Sequence, residues 1–199
     1  KHFICIFAGK NTKLMPNYQQ ITEILKAGGV ILYPTDTVWG IGCDATNASA
    51  VARIFTIKQR SESKSLIILV SSITMLRDYI ADLPQNILNY LQKVTEPTTI
   101  IYENPRLLAS NVIAADNTVA IRLVQDPFCQ QMITLFGKPI VSTSANISGQ
   151  PTPLCFADIP ATLVAQCDYV VPYRQDDTAP KKPSRLIKFD KNGELIILR

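Results

Sequence analysis

The amino-acid sequence predicts an α/β fold: a twisted open sheet of mixed parallel and antiparallel strands with flanking helices. Three observations carry that prediction. Apolar runs of strand length alternate with segments of helical periodicity over most of the chain. The last two apolar runs, residues 186–189 and 195–198, are joined by Lys191-Asn192-Gly193, a hairpin turn that adds antiparallel pairing. A hydrophobic content of 47% against 18% charged residues supplies a sizeable core and excludes general disorder.

Residues 3–8 read as a first strand. They are far shorter than the ~20 residues of a membrane-spanning helix. The following Gly9-Lys10-Asn11 is a poor context for signal-peptide cleavage. Asn17 begins a helix with Ile21, Ile24 and Leu25 on one face, and Gly28-Gly29 stops it. Residues 30–33 form a buried strand, and residues 34–42 a loop at its end. Asn47 or Ser49 caps the next helix, in which Val51, Ile54 and Phe55 recur at helical spacing. A cationic stretch, Lys58-Gln59-Arg60-Ser61-Glu62-Ser63-Lys64, then leads into the strand at 66–70. Helical patterns follow around 74–80 and 84–93.

Residues 98–102 and 119–124 are strands, the second with Arg122 inside an otherwise apolar run. Asp126-Pro127 opens a helix that Gly137 ends. Residues 139–141 form a strand running out into Ser142-Thr143-Ser144-Ala145-Asn146. A helix over 157–166, a mobile loop over 175–183 and the closing hairpin complete the chain. No linker-like segment divides it, so residues 1–199 are expected to form a single domain.

Composition narrows the chemistry. A net charge of +4 permits nucleotide or RNA binding without requiring it. The five cysteines are widely spaced, with no Cys-x-x-Cys pair, and the only histidine is His2. That pattern argues against a zinc site and against His-dependent nucleophilic catalysis, and no metal-ligating residues are assigned. It also suits reduced thiols in a cytoplasmic protein with no membrane association. Neither Gly-x-x-x-x-Gly-Lys-Ser/Thr nor Gly-x-Gly-x-x-Gly occurs. Any phosphate would therefore be held by Lys, Arg, Ser and Thr side chains at strand ends, where open α/β sheets bind ligands.

Four groups of residues qualify, each with a plainer alternative. Lys58, Arg60 and Lys64 suit a triphosphate clamp or a solvated helix end, where cations are favoured. Ser142, Ser144 and Asn146 suit donors to phosphate, ribose or carboxylate oxygens, or an ordinary polar turn. Thr35-Asp36-Thr37 reads a small polar ligand or caps a turn, with Trp39 as pocket wall or core. Arg122, if it points inward, needs an anion: a ligand carboxylate, Asp36, Asp44 or Asp116.

Together, residues 33–44 (Tyr-Pro-Thr-Asp-Thr-Val-Trp-Gly-Ile-Gly-Cys-Asp), Ile57-Lys58-Gln59-Arg60 with Lys64, Thr118-Val119-Ala120-Ile121-Arg122, and residues 142–149 (Ser-Thr-Ser-Ala-Asn-Ile-Ser-Gly) resemble the YrdC-like family. These are the threonylcarbamoyl-AMP synthases of tRNA modification, and the resemblance is to their short, single-domain form. It implies synthesis of L-threonylcarbamoyl adenylate and pyrophosphate from L-threonine, bicarbonate and ATP, with Mg2+ accompanying ATP. The adenylate serves N6-threonylcarbamoylation of adenosine 37 in tRNA through downstream threonylcarbamoyl-transferase proteins, and direct tRNA binding is allowed. The resemblance places Lys58, Arg60 and Lys64 along the ATP phosphates, with Lys58 and Arg60 in the catalytic role. Thr118, Ser144, Asn146, Thr152 and Arg199 complete the nucleotide site. Thr37, Arg122, Ser142 and Ser184 surround threonine, with Arg122 on its carboxylate.

The chain departs from the family at several points. Trp39 stands for Tyr or Phe, Ser61 and Ser65 for prolines, and Glu96-Pro97-Thr98-Thr99 for Pro-Gly-Pro-x-Thr. The rival readings are an RNA-binding module without synthase activity, a carbamoyl-adenylate domain, the sister branch of the same fold, and a Ser-dependent amidase.

Overall fold

Asn17 accepts a hydrogen bond from the Gln20 amide through its side chain and opens helix α1 (Tyr18–Lys26), which buries Ile21 and Leu25. The computed structural model describes residues 15–61, 65–179 and 181–199. The strand expected over residues 3–8 lies outside these, as do Lys64 and Pro180.

Strands β1 (Ile31–Tyr33) and β2 (Gly40–Gly42) form an antiparallel hairpin, followed by α2 (Ala48–Lys58), capped by Asn47. Strand β3 (Ile67–Val70), helices α3 (Ile73–Tyr79) and α4 (Gln85–Leu91), and strands β4 (Thr98–Glu103) and β5 (Thr118–Leu123) come next. Helix α5 (Pro127–Phe136) has Asp126 as its cap and Gly137 in the left-handed conformation at its end. Strand β6 (Ile140–Ser144), helix α6 (Ala161–Val164) and strands β7 (Tyr169–Val170), β8 (Arg185–Phe189) and β9 (Leu195–Ile197) close the order.

Among the described residues the nine strands form one sheet, in the order β7-β1-β2-β6-β3-β5-β4-β8-β9. The β3–β5, β4–β8 and β1–β7 pairs are parallel and the remaining pairs antiparallel, so the expected mixed open sheet is what forms.

Three local expectations fail for identifiable reasons. Residues 34–42 are not all loop, because β2 occupies the end of that stretch. Its Gly-Ile-Gly sequence carries no apolar alternation, and it is a strand because β1 and β6 pair with it on both sides. Gly42 is required there: a Cβ would lie 2.3 Å from the Val141 carbonyl and 2.9 Å from the Tyr33 ring. The helix expected over 157–166 is broken into a 3-10 turn (Phe156–Asp158) and α6. Pro160 has no N–H and keeps Ile159 extended, with φ −73° and ψ 127°. Strand β7, two residues long, gives no periodic signal at all.

Alternation along the strands divides the core. Leu32, Ile68, Val70, Ile100, Ile121 and Val141 point to one face, against Val51, Ile54 and Phe55 of α2, Leu76 of α3 and Ile87 and Leu91 of α4. Ile31, Tyr33, Leu69 and Ile140 point to the other, against Ile21 and Leu25 of α1 and Phe128, Met132, Ile133 and Phe136 of α5. Burial of each such side chain contributes about 1.5–3 kcal/mol. Trp39 belongs to the first cluster, packed on Phe156 at 4.9 Å between ring centroids, so it is core and not a pocket wall. Among the described residues no helix is long and apolar enough to cross a membrane.

Candidate functional site

The site follows from the same alternation. On the α1/α5 face, Leu69 and Ile140 are covered by helix, but their neighbours two residues along, Ile67 and Ser142, are not. Ser144, Ala120, Arg122 and Ile101 continue the uncovered face across β6, β5 and β4. The result is a cleft of about 390 Å³ floored by the sheet. Its rim is built from the β1–β2 turn, the segment after α2, and the segment leading into β8.

Most of the residues singled out in the sequence line this cleft. They are Thr37, Arg60, Thr118, Arg122, Ser142, Ser144, Thr152, Ser184 and Arg199. Of the remaining site residues two are elsewhere, and the third, Lys64, lies outside the described residues. Asn146 lines an adjoining hollow of about 360 Å³ that shares Thr152 with the cleft. Lys58 is 1% exposed and lies beneath the β6 loop without lining the cleft.

The alternative of a solvated helix end is thus excluded for Lys58. Its Nζ donates to the Ser144 carbonyl at 2.5 Å, the Asn146 carbonyl at 2.8 Å and Asn146 Oδ1 at 3.2 Å. An ammonium has three N–H donors, and each has an acceptor. The Lys58 carbonyl in turn accepts from the Ser148 amide at 2.8 Å. Burial, reinforced by the nearby positive charge of Arg60, pushes the Lys58 pKa down to about 8. The same loop is laced by Ser144 Oγ donating to Asn146 Oδ1 at 2.6 Å and Asn146 Nδ2 donating to the Gln150 carbonyl at 2.6 Å.

Arg60 reaches the cleft because α2 stops abruptly. Gln59 adopts a left-handed conformation with φ 48°, and the amides of Gln59 and Arg60 return to the Thr56 and Phe55 carbonyls. The Arg60 Nη2 donates to the Ser65 carbonyl at 2.9 Å, and partial burial lowers the guanidinium pKa. Arg199, on the other side, donates to the Ser184 carbonyl at 3.3 Å. Thr118 Oγ1 donates to Asp116 Oδ1 at 2.7 Å, which engages Asp116 away from Arg122.

Arg122 is 4% exposed and forms the other pole of the cleft. Its Nη2 lies 3.3 Å from Asp36 Oδ1, and its Nη1 donates to Thr37 Oγ1 at 3.1 Å. Thr35 Oγ1 donates to the Val38 carbonyl at 2.8 Å. The 2.9 Å contact between Thr35 and Thr37 is therefore a donation from Thr37, and the polar chain runs Arg122, Thr37, Thr35, Val38. The Nε of Arg122 is buried without a hydrogen-bond partner. Asp44, another candidate anion, pairs instead with Lys138 at 3.0 Å.

Glu96 does not intrude on the cleft. It is largely exposed and pairs with Arg185 at 3.2 Å. Among the described lining residues there is no carboxylate, and the described residues hold no cluster of three acidic, His or Cys side chains. Sequence reasoning missed the apolar floor, Ile67, Ile101, Ala120 and Leu186, together with Gly40 and Ser65. For the floor a signal existed: each residue sits two positions from another residue of the same face.

The Sua5/YciO/YrdC family model, whose description reads "Telomere recombination", matches residues 23–199. The threonylcarbamoyl-AMP synthase of Vibrio cholerae is 35% identical over 161 residues, covering 79% of this chain and 86% of that protein. In structure, Pyrococcus abyssi Sua5, solved in complex with L-threonine, superimposes with a TM-score of 0.81 at 23% identity. The match covers 92% of this chain but only 53% of that one, so this chain spans about half of Sua5. Escherichia coli YciO gives a TM-score of 0.78 at 22% identity, covering 92% of this chain and 87% of that one. With the family model matched from the first helix to the last residue, and a relative above 30% identity along most of both chains, this chain belongs to the Sua5/YciO/YrdC family.

Proposed function

We propose that this protein is an L-threonylcarbamoyladenylate synthase acting in N6-threonylcarbamoyladenosine modification of tRNA. Its substrates on this reading are L-threonine, bicarbonate and ATP. The observation that carries the proposal is one cleft with two cationic poles and no carboxylate among its described lining residues. Arg60 is on one side, and buried Arg122, with an unpartnered Nε, is on the other, where Arg199 is held by the Ser184 carbonyl. Such a cleft suits two anionic substrates brought together. The name of the Vibrio cholerae relative supports the same activity.

The threonine carboxylate would accept from Arg122, whose guanidinium is already faced by Asp36 at 3.3 Å but keeps an unpartnered Nε. The triphosphate would be met by Arg60 and Arg199, with the Thr152 hydroxyl as a neutral donor, since the Ser144 and Thr118 hydroxyl protons already go to Asn146 and Asp116. Threonine's amine and bicarbonate give an N-carboxylated threonine and water. One oxygen of that carbamate attacks the α-phosphorus of ATP, the bond from that phosphorus to the bridging oxygen breaks, and pyrophosphate leaves with the bond's electrons. The carbamate is already ionised, so the step needs no strong base. The protein's work is to hold two mutually repelling anions in line and to stabilise charge on the leaving group. Mg2+ would enter as part of the nucleotide substrate. Lys58 acts on this scheme from below, by holding the loop that presents Ser144.

We take the chain as one catalytic domain working in the cytoplasm, with tRNA and the threonylcarbamoyl-transfer proteins as downstream partners. The decisive experiment measures pyrophosphate from ATP, bicarbonate and L-threonine, with L-serine as control. Threonine-stimulated release is expected, and its absence would overturn the proposal.

A further inference from the structure

Thr99 is wholly buried, lies in β4, and does not line the cleft. In the antiparallel register it is directly opposite Arg122, so both side chains project from the same face of the sheet. In the parallel register with β8 it is level with Leu186, a cleft residue. Its Oγ1 is 2.8 Å from Ser184 Oγ, across 85 residues of sequence. Ser184 does line the cleft, and its carbonyl accepts from Arg199.

We infer that Thr99 is a positioning residue that orients the Ser184 hydroxyl toward the amino-acid end of the cleft. A serine hydroxyl rotates freely unless a partner occupies one of its directions. Inside the protein, away from competing water, the Thr99 hydroxyl is such a partner, and β4 holds it rigidly beside Arg122. With one direction of Ser184 Oγ taken by Thr99, its remaining capacity is turned toward the cleft. The Arg122 guanidinium, from β5, and the Ser184 hydroxyl, from the residue before β8, then approach one small ligand from either side of β4 in a fixed relation. Thr99 thus acts on the amino-acid substrate without touching it.

The inference rests on the synthase reading, and the test separates the two. Steady-state pyrophosphate release is measured for the wild type, Thr99→Val, Thr99→Ser, Ser184→Ala and the double variant Thr99→Val/Ser184→Ala. Valine keeps the shape and strand preference of threonine and removes only the hydroxyl. Thr99→Val is expected to raise KM for threonine by about three- to tenfold, the scale of one hydrogen bond, with KM for ATP little changed. Thr99→Ser restores the hydroxyl and is expected to restore KM for threonine. On the Ser184→Ala background, Thr99→Val is expected to add nothing, because both changes remove the same hydroxyl from use. An unchanged KM for threonine in Thr99→Val, or penalties that simply add in the double variant, would overturn the inference while leaving the synthase reading intact. A wild type inactive with threonine overturns that reading instead. If Thr99→Val does not fold, the Thr99→Ser and Ser184→Ala variants still decide. A threonine KM in Thr99→Ser as high as that of Ser184→Ala would overturn the inference, and a wild-type value would support it.

Discussion

The Nζ of Lys58 lies 2.8 Å from the carbonyl oxygen of Asn146, although 88 residues separate them in sequence. This contact, with its companions to Ser144 and Asn146 Oδ1, makes the last residue of α2 a support for the loop that follows β6. A cation that in sequence suits a phosphate clamp or a solvated helix end is buried and holds a loop.

Replacing Lys58 should therefore cost stability as well as activity. Lys58→Ala removes a charged donor and leaves two buried carbonyls and an amide oxygen short of a partner. A loss of about 1–3 kcal/mol or more is expected, measured by urea denaturation at pH 7. A variant as stable as the wild type would mean that the loop finds other donors.

The same residue should leave a signature in the pH dependence of stability. Its pKa in the fold is about 8, against 10.5 for an ordinary lysine, so between those values the unfolded chain holds more of the proton. Unfolding then takes up protons, and stability rises as pH rises through that window. Compared with Lys58→Met, in which every other group is retained, the wild type should gain stability from pH 8 to pH 10. Below pH 8 the difference should be flat. A difference independent of pH throughout would show that the ammonium is not desolvated.

Arg60→Ala should behave differently. Arg60 lies at the cleft wall, outside any helix or strand, after the left-handed turn at Gln59. Melting temperature should change little, while pyrophosphate release falls by roughly tenfold to a hundredfold, the equivalent of about 1.5–3 kcal/mol for a charged hydrogen bond. Wild-type turnover in this variant would remove Arg60 from the phosphate site.

Arg122→Gln tests the opposite pole. Threonine KM should rise by about tenfold or more, since a charge-assisted hydrogen bond is lost, while KM for ATP stays near the wild-type value. Equal effects on both substrates would place Arg122 between them and not at the amino-acid end.

Gly42→Ala tests the sheet itself. A methyl group would meet the Val141 carbonyl at 2.3 Å, and that carbonyl belongs to the backbone of β6 and has no free rotation with which to retreat. Destabilisation of about 1–3 kcal/mol is expected, the scale of overpacking in a core. Activity should suffer too, because β2 and β6 together carry Gly40, Ser142 and Ser144 into the cleft.

The sequence alone determined the fold class, the helix starts at Asn17, Asn47 and Asp126, and the strands with clear apolar runs. Those signals are local: a cap, a period, a turn. It also determined most of the cleft, because Thr37, Arg60, Thr118, Arg122, Ser142, Ser144 and Arg199 sit in motifs that resemble a family. Tertiary structure decided what depends on neighbours distant in sequence. The β2 strand exists because two other strands pair with it, and the helix after Cys155 breaks where Pro160 interrupts its hydrogen bonds. Whether a polar residue reaches the cleft or lies beneath its wall was likewise settled only by packing. Lys58 and Arg60 are two residues apart, yet one is sealed under a loop and the other turned to the cleft by Gln59. Burial is a property of the assembled sheet and helices, and no local pattern at residues 58–60 encodes which side of that turn faces the β6 loop.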